Sequence, residues 1–329
     1  MKLIQKKHFN TYFSVGAVLL LTATFTAIEP RFLNAANLNN LLSDTAPLMI
    51  MAVGMTPVLL LGSIDLSIGS LCSAANVFVI TVLLRFQATV EANPGSIVMV
   101  AVVAFGATML LSTLSGVLLG FIHVKTKIPS FIASLAFMSI WASAALLIQN
   151  ASVFLIPVLW PAIAWYSVSF GPLGLPLLLA FIVTAVYYIV LTRTSFGRGV
   201  YAIGANERTA RLAGIPVDRI KITVFAINGL CVAMGAIFLM AKARSAAPTA
   251  GSAFTLMVIS AVVLGGTSLV GGAGNILNTI LGVFIVAMIQ NGMNIIGINV
   301  FWQSIVYGSI ILAAIAINTD RSSRSFVVK

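Results

Sequence analysis

Ten long apolar runs dominate this chain and limit what it can fold into. A helix needs roughly 20 apolar residues to cross a hydrocarbon core about 30 Å thick, and such a helix satisfies its own backbone hydrogen bonds. The sequence therefore predicts an all-α membrane protein, a polytopic bundle of about ten transmembrane helices in one domain over residues 1–329. The predicted spans are about 10–28, 46–61, 67–84, 96–122, 129–149, 173–192, 222–241, 253–271, 274–296 and 300–318.

Composition excludes a soluble globular enzyme. Hydrophobic residues make up 60% and charged residues 8% of the chain, whereas soluble proteins average about 25% charged residues. Cys72 and Cys231 fall inside apolar runs without a CxxC pattern, so we predict two buried, inert thiols and no metal site. The N-terminal MKLIQKKHF imitates a signal peptide, but the run after it is too long and lacks a small-residue cleavage site, which favours a retained first span.

The basic residues predict the orientation of the chain. Lys and Arg collect in cytoplasmic loops of membrane proteins, so the net charge of +11 indicates topology and not a nucleic-acid partner. An even number of spans with a cytoplasmic N-terminus puts both termini inside, and 14 of the 18 basic residues then lie in cytoplasmic segments. These are Lys2, Lys6, Lys7, Lys125, Lys127, Arg193, Arg198, Arg208, Arg211, Arg219, Lys221, Arg321, Arg324 and Lys329, and the outer four are Arg31, Arg85, Lys242 and Arg244.

Two segments on the predicted outer side of the membrane have distinctive compositions. Residues 29–45 suit a short interfacial helix, and residues 150–172 are uncharged and rich in aromatic residues that are typical of a membrane surface. The aromatic residues are Trp160, Trp165, Tyr166 and Phe170, and Pro157, Pro161, Pro172 and Pro176 argue against one continuous helix there.

Asp65, in LLLGSIDLSIGS, is the most deeply embedded acid. An ionised carboxylate is costly inside a membrane, so an acid between two apolar spans suggests contact with a substrate or a coupling ion. A structural role is the alternative. Gly62 and Gly69 permit a tight turn, Ser67 can cap the next span, and Asp65 or Ser67 can accept hydrogen bonds from its free N–H groups. The sequence leaves both readings open.

A second glycine-rich stretch has a similar spacing of Leu and Gly residues. Leu61-Gly62-x-x-Asp65-Leu66-x-x-Gly69 matches Leu264-Gly265-x-x-Ser268-Leu269-x-x-Gly272, and each stretch joins two apolar runs. Interruptions at corresponding places suggest duplicated halves, and transporters place binding sites at broken helices. Chance similarity between two turns rich in Gly and Leu is the alternative. No GxxxxGK[ST] or dinucleotide fingerprint occurs in the chain, so close helix packing or a helix break explains Gly265 and Gly266 best.

Uncharged amides are the main polar side chains within the apolar runs. Amides that line a cavity suit a neutral hydroxylated solute, whereas hydrogen bonding between helices is the alternative for each one. They are Asn76, Gln149, Asn228, Asn278, Gln290, Asn291, Asn294 and Asn299. The candidate pathway or structural residues are thus Asp65, Ser67, Gly62, Gly69, Asn76, Asn228, Gly265, Gly266, Asn291 and Asn294. No catalytic constellation accompanies them.

Residues 193–221, which we call the polar segment, must face water. The polar segment holds six of the 18 basic residues and two of the seven acids. Asn206 is a good N-cap, Glu207 favours the positive end of a helix, Gly214 can end the helix and Pro216 prevents its resumption. The pattern predicts one short helix at about 207–213. The alternative role for the segment is a solvated basic connector.

Four stretches of the chain are GSIDLSIGS, GRGVYAIGANERTARLAGIPVDRIKITVFAINGL, SAAPTAG and VISAVVLGGTSLVGGAG. Together they resemble the ribose-type monosaccharide permeases of ABC importers, most specifically over residues 62–70 and 197–291. Where members of that family often have Gly-Gly-Ile-Asp-Leu-Ser-Val-Gly, this chain has Ser63 and Ile68, and the Asp is kept.

The resemblance implies a permease subunit in the lipid of a bacterial inner membrane that imports a small neutral solute, such as a monosaccharide, by alternating access. It implies a homodimer or a heterodimer with a related permease, two cytoplasmic ATP-binding subunits and a periplasmic solute-binding protein. It also implies that residues 207–214 dock into a groove on the ATP-binding subunit. The implied coupling residues are Asn206, Glu207, Arg208, Ala210, Arg211 and Gly214.

The residues agree with a transport subunit that is not itself an enzyme. The chain has no nucleotide motif and no predicted cofactor, so the energy must come from partner subunits. A secondary transporter in which Asp65 carries a proton is the alternative, although proton relays usually involve several titratable groups. A lipid-modifying enzyme would need a catalytic constellation that the sequence lacks.

Overall fold

The fold is built almost entirely of helices. The computed structural model describes residues 2–170 and 173–318, so Arg321, Arg324 and Lys329 of the charge count, and Pro172, lie outside the described residues. The helices are α1 (Lys2–Ile28), α2 (Ala35–Leu60), α3 (Ile68–Arg85), α4 (Gln87–Ala92), α5 (Ile97–Thr126), α6 (Ser130–Ile148), α7 (Leu175–Arg193), α8 (Ser195–Ala205), α9 (Glu207–Leu212), α10 (Val217–Ala243), α11 (Phe254–Leu264), α12 (Ile276–Ile295) and α13 (Val300–Asn318).

Each predicted span falls on one helix, and the prediction of a helical multi-pass membrane protein is confirmed. Within the described residues, seven helices are long and apolar enough to cross a membrane: α2, α3, α5, α6, α7, α10 and α12. Shorter apolar stretches occupy Ser14–Ile28 of α1, α11, and Phe301–Leu312 of α13. The total of about ten crossings therefore stays a prediction.

The centre of the bundle is formed by α2 and α10. From Thr45 to Leu60 the side chains of α2 are buried, and α2 packs against α7, α10, α11 and α12. Helix α10 packs against α2, α3 and most extensively α5. Helices α5, α6 and α7 instead expose apolar side chains such as Val98, Leu114 and Ile182 on their outer faces. These faces suit contact with lipid or another apolar surface.

The borders of several elements differ from the prediction. The interfacial helix predicted over 29–45 is wrong, because a short 3₁₀ helix (Pro30–Leu33) is followed directly by α2, whose N-cap Asn34 accepts a hydrogen bond from the Ala36 N–H. Helix α11 ends at Leu264, seven residues before the predicted border, because Gly266 takes a positive φ of 81°. Helix α8 was not predicted at all.

The aromatic stretch before α7 is not a continuous helix, as its prolines predicted. Pro157–Ser167 forms a 3₁₀ helix. It is flanked by two-residue strands, β1 (Val153–Phe154), which pairs with β4 (Ser245–Ala246), and β2 (Ser169–Phe170), which pairs with β3 (Leu173–Gly174). The rings of Trp165 and Tyr166 pack on Phe238 of α10. This stretch therefore covers the end of α10.

One end of the bundle carries the polar segment. The last turns of α5 pack beside the first turns of α10, where the rings of His123 and Phe225 lie 5.9 Å apart. Helix α7 ends at Arg193 and leads into α8 and α9. Cations that the sequence assigned to the cytoplasm thus gather at this end.

The opposite end carries the cations assigned to the outside. Lys242, in the last turn of α10, pairs with Asp44 of α2. The Arg244 guanidinium lies 4.7 Å from the centre of the Trp160 ring, a cation–π contact. The charge split of the sequence therefore corresponds to two physical ends of the bundle, and which end faces the cytoplasm stays a prediction.

Candidate functional site

Asp65 lies in the turn between α2 and α3, residues 61–67, which we call the Asp65 turn. Its side chain is 4% exposed. One carboxylate oxygen accepts hydrogen bonds from the Ser67 backbone N–H (2.9 Å) and the Ser67 hydroxyl (2.6 Å), and the other accepts from the Asn228 amide of α10 (2.9 Å). These three bonds fit the structural role of Asp65. Contact with a substrate or an ion stays a prediction.

Ser67 itself does not cap α3 through its side chain. It occupies the N-cap position, but its hydroxyl donates to Asp65 and accepts no hydrogen bond from the helix. The prediction of Ser67 as a side-chain cap is therefore wrong. The physical reason is the backbone of Ser67, whose φ of −80° and ψ of −7° are helical and not the extended conformation from which an N-cap side chain reaches the first free N–H groups.

The backbone of the Asp65 turn obtains its hydrogen bonds from neighbouring helices. The Ile64 and Leu66 N–H groups donate to the hydroxyls of Ser130 and Ser134 in α6, each at 3.0 Å. The Gly69 N–H, in the first turn of α3, donates to the Thr255 hydroxyl of α11 at 3.0 Å. Irregular backbone that is buried needs such partners, because each unpaired N–H group would cost free energy. Helices α6 and α11 thus make this break between α2 and α3 possible.

The second turn, residues 265–275, which we call the glycine turn, begins in the same way as the Asp65 turn. After α2, Gly62 has φ 74° and the Ser63 N–H donates to the Val58 carbonyl. After α11, Gly266 has φ 81° and the Thr267 N–H donates to the Val262 carbonyl. Both are Schellman ends, in which a left-handed glycine closes the helix.

The structural counterpart of Gly62 is therefore Gly266. The sequence match had aligned Gly62 with Gly265, so the match is off by one residue at the helix ends. Gly265 instead occupies the right-handed C-cap position and packs against the backbone of Asn278 and Thr279. Whether the two halves arose by duplication stays a prediction.

The Asp65 turn and the glycine turn touch each other. The Gly272 N–H donates to the Leu60 carbonyl, the last one of α2, at 2.8 Å. A Cβ atom on Gly62 would lie 2.7 Å from the Val270 carbonyl oxygen, so no larger residue fits there without a shift. The two breaks in the helices thus form one connected unit.

The polar segment is more ordered than a solvated connector requires. Thr194 caps α8 by accepting a hydrogen bond from the Gly197 N–H, and Asn206 caps α9 by accepting one from the Thr209 N–H at 3.0 Å. The helix predicted at about 207–213 is present as α9. Gly214, with φ 78°, ends it as the sequence indicated.

Ion pairs tie α9 to the start of α10. Glu207 binds Lys221 at 2.7 Å and Arg211 at 3.4 Å, and Arg211 binds Asp218 at 2.7 Å. Partial burial alone would raise the pKa of the Glu207 carboxyl, but the hydrogen bonds and charges of Lys221 and Arg211 outweigh it and hold that pKa below its usual value. Glu207 is therefore ionised at neutral pH and holds α9 against α10.

Comparison with known proteins assigns the chain to a family. Residues 37–315 match the family described as the permease component of branched-chain amino acid transport systems. The chain belongs to this family of transport permeases. No solved structure gives a significant match.

Three relatives illustrate the similarity of the permease to known transporters. The ribose import permease protein RbsC of Escherichia coli (strain K12) is 36% identical over 313 residues, which cover 94% of this chain and 93% of RbsC. RbsC of Bacillus subtilis (strain 168) is 32% identical, with coverage of 93% and 92%. The xylose transport system permease protein XylH of Escherichia coli (strain K12) is 30% identical, with coverage of 98% and 95%.

The candidate amides of the permease do not converge on one cavity within this single chain. Asn76 donates to the Ala236 carbonyl and accepts from the Ala247 N–H. Asn291 exchanges two hydrogen bonds with Asn37, and Asn294 accepts one from Gln303. Each of these amides joins helices or segments, as Asn228 does at Asp65. A pathway role for them stays a prediction.

The predicted coupling residues of the permease divide into two groups. Asn206, Glu207, Ala210, Arg211 and Gly214 build the local structure through the cap, the ion pairs, a buried contact and the helix end. Arg208 is exposed. Sequence reasoning missed Leu212, which is 82% exposed on α9 despite being apolar. An isolated apolar residue within a charged stretch was the available signal.

Sequence reasoning also missed α8. The available signal was the helical spacing of Phe196, Val200 and Ile203, which places these apolar side chains on one face. No group of three or more His, Cys, Asp and Glu side chains in the described ranges is arranged to hold a metal ion.

Proposed function

We propose that the permease forms the membrane pathway of an ATP-driven importer for a small neutral monosaccharide. The names of its relatives, import permeases for ribose and xylose over nearly their whole lengths, support the solute class. Charged residues make up 8% of the chain, and this low content suits a neutral solute better than an ion. The permease has no nucleotide site of its own in this proposal, and ATP is hydrolysed on partner subunits.

The observation that carries the coupling role is the exposed face of α9. Leu212 projects from this helix with 82% of its surface exposed. An exposed apolar side chain gains free energy when a partner's groove covers it, by roughly 25 cal/mol per Å² of apolar surface removed from water. We propose that α9 docks into the ATP-binding subunit with Leu212 at the centre of the contact.

The charges of the polar segment suggest the chemistry of the partner's groove. The acids Glu207 and Asp218 are already paired within the segment. Among the described residues no ion pair occupies Arg198, Arg208 or Arg219. An acidic rim on the ATP-binding subunit would complement these cations.

The full assembly in this proposal has two permease copies, two cytoplasmic ATP-binding subunits and a periplasmic solute-binding protein. The polar segment then lies in the cytoplasm, together with both termini, and the protein lies in a bacterial inner membrane. The positive-inside rule supports this orientation, because 14 of the 18 basic residues fall on one predicted side.

A matched pair of substitutions tests the docking of α9. Leu212→Ser removes the proposed anchor, and Leu147→Ser removes an equally exposed leucine, 87% exposed, from the opposite end of the bundle. The permease is reconstituted in proteoliposomes with the proposed ATP-binding subunit and solute-binding protein. We expect Leu212→Ser to lower ATP-binding-subunit capture and ATP-dependent uptake about tenfold or more, because full burial of a leucine side chain contributes roughly 1.5–3 kcal/mol, and Leu147→Ser to leave both unchanged.

Equal behaviour of the two variants would show that α9 is not the docking element. Uptake by the wild type that collapses with an uncoupler and persists without ATP would instead support the proton-coupled alternative. The solute itself is identified by measuring which radiolabelled pentose or hexose the solute-binding protein retains and delivers.

A further inference from the structure

Helix α8 ends against the place where the Asp65 turn and the glycine turn meet. Gly204 faces the Leu60 carbonyl so closely that a Cβ atom there would collide with it, and the same atom would lie 2.5 Å from the Gly272 nitrogen. The Leu60 carbonyl and the Gly272 N–H are the two groups that join the turns. Helix α8 thus packs directly on the hydrogen bond between the two broken helices.

Tyr201, one turn earlier on α8, makes the specific polar contact. Its hydroxyl donates to the Gly274 carbonyl at 3.1 Å, in the last part of the glycine turn. A hydrogen bond fixes both a distance and a direction, which packing of glycine alone does not. Tyr201 therefore holds the glycine turn while Gly204 lies against the end of α2.

The composition of α8 allows close packing against its neighbours but lowers the intrinsic stability of the helix. Each internal glycine weakens a helix by about 1 kcal/mol relative to alanine, and α8 contains three of them in eleven residues. All three are at close approaches: Gly197 to the Leu191 backbone of α7, Gly199 to Ile220 of α10, and Gly204 to the two turns. Each glycine of α8 therefore lies at a close contact with a neighbouring element.

The two halves of the polar segment have different attachments. Helix α9 is held to the start of α10 by the Glu207–Lys221 and Arg211–Asp218 pairs, both of which include partly exposed side chains. Helix α8 is held to the two turns by close backbone packing and the Tyr201 hydrogen bond. The Asp65 turn is held in addition by Asn228 of α10. Displacement of the segment must therefore move or strain both turns.

We propose that Tyr201 and Gly204 are positioning residues through which α8 transmits motion of the docked ATP-binding subunit to the Asp65 turn and the glycine turn together. This inference rests on the proposed function, since it needs an ATP-binding subunit that moves α9. It assigns the transmission to α8 and not to the ion pairs of α9, and it makes the two breaks in the helices respond as one unit.

The decisive variant is Tyr201→Phe, which removes one hydroxyl and keeps the ring. Its control is Tyr188→Phe on α7, whose hydroxyl makes no hydrogen bond with the described residues and which is 36% exposed. Both are purified in the full complex and reconstituted. Three quantities are measured: the yield of assembled complex, the basal rate of ATP hydrolysis, and the number of solute molecules imported per ATP hydrolysed.

We expect Tyr201→Phe to lower the solute imported per ATP by about two- to tenfold, as one lost hydrogen bond would, with assembly and basal hydrolysis kept. Tyr188→Phe is expected to match the wild type in all three quantities. A second pair tests the same contact through its packing. Gly204→Ala introduces a methyl group against the two turns, and Gly106→Ala is its control, because Gly106 lies on α5 with open space around it. Should Gly204→Ala fail to assemble, the tyrosine pair decides.

The outcomes separate this inference from the proposed function. A wild type without ATP-dependent uptake contradicts both. A coupled wild type with Tyr201→Phe equal to Tyr188→Phe contradicts only the transmitting role of α8. A variant that assembles poorly but imports the normal number of molecules per ATP shows that Tyr201 is a structural contact, which also overturns the inference.

Discussion

At the scale of single residues, Asp65 offers the clearest prediction. In Asp65→Asn the new side chain keeps one oxygen to accept from Ser67, and its NH2 group replaces the oxygen that accepted from the Asn228 amide. A flip of the Asn228 amide then lets its oxygen, which has no partner among the described residues, accept from this NH2 group. We therefore expect Asp65→Asn to keep its thermal stability in detergent and most of its ATP-driven uptake. Asp65→Ala leaves the Ser67 and Asn228 donors unsatisfied in a buried site, at a cost of about 1–3 kcal/mol.

The same pair of variants separates the two roles of Asp65. Thermal unfolding followed by size-exclusion chromatography measures stability, and uptake in proteoliposomes measures transport. If Asp65→Asn were as stable as the wild type but without uptake, a titrating carboxylate would be required. That result would favour the proton-coupled alternative over the structural role.

The sequence could place Asp65 in a turn but could not find its partners. The spacing of Gly62, Asp65 and Gly69 indicates a turn through local chemistry alone. Asn228 lies 163 residues further along the chain, and Ser130 and Ser134 lie on a third helix. Partners of this kind depend on which helices pack together, which one sequence does not reveal.

At the scale of elements, the contact between α5 and α10 is sensitive to side-chain size. Gly116 and Gly120 of α5 form a GxxxG pattern that allows the α10 backbone to come close. A Cβ atom on Gly116 would collide with the Phe225 carbonyl. We expect Gly116→Ala to destabilise the permease by about 1–3 kcal/mol, the usual cost of overpacking, measured as a lower midpoint of thermal unfolding.

Gly106→Ala on the same helix is the matched control for Gly116→Ala. Open space surrounds Gly106, and alanine is a better helix former than glycine by about 1 kcal/mol. The two substitutions should therefore shift the unfolding midpoint in opposite directions. A higher midpoint for Gly116→Ala as well would show that α5 and α10 separate easily at this contact.

The helices also show which sequence signals were sufficient to predict a helix and its ends. Asn206 and Gly214 marked α9 correctly because caps act through hydrogen bonds within a few residues. Helix α8 escaped prediction because its three glycines oppose helix formation, and contacts with α7, α10 and the two turns contribute to its stability. The early end of α11 followed from Gly266, whose left-handed conformation the sequence allowed but did not require.

At the scale of the whole molecule, composition and charge predict the class of fold but not the contacts of individual polar residues. Apolar runs predicted a helical membrane protein correctly, because a membrane accepts few other structures. The distribution of Asn76, Asn228, Asn291 and Asn294 over separate contacts could not be predicted. A pathway between two copies of the chain, as proposed, would not require these amides to meet within one copy.

The orientation of the whole molecule gives the last prediction. Cys72 and Cys231 are buried, so they should not react with a membrane-impermeant maleimide and the natural chain can serve as the background. Ser152→Cys places an exposed thiol at the end near Arg244, and Ala213→Cys places one in the polar segment. We expect Ser152→Cys to be labelled on intact spheroplasts and Ala213→Cys only after permeabilisation, because the cations of the polar segment favour the cytoplasmic side. The reverse pattern would place the polar segment outside and remove α9 from reach of any cytoplasmic ATP-binding subunit.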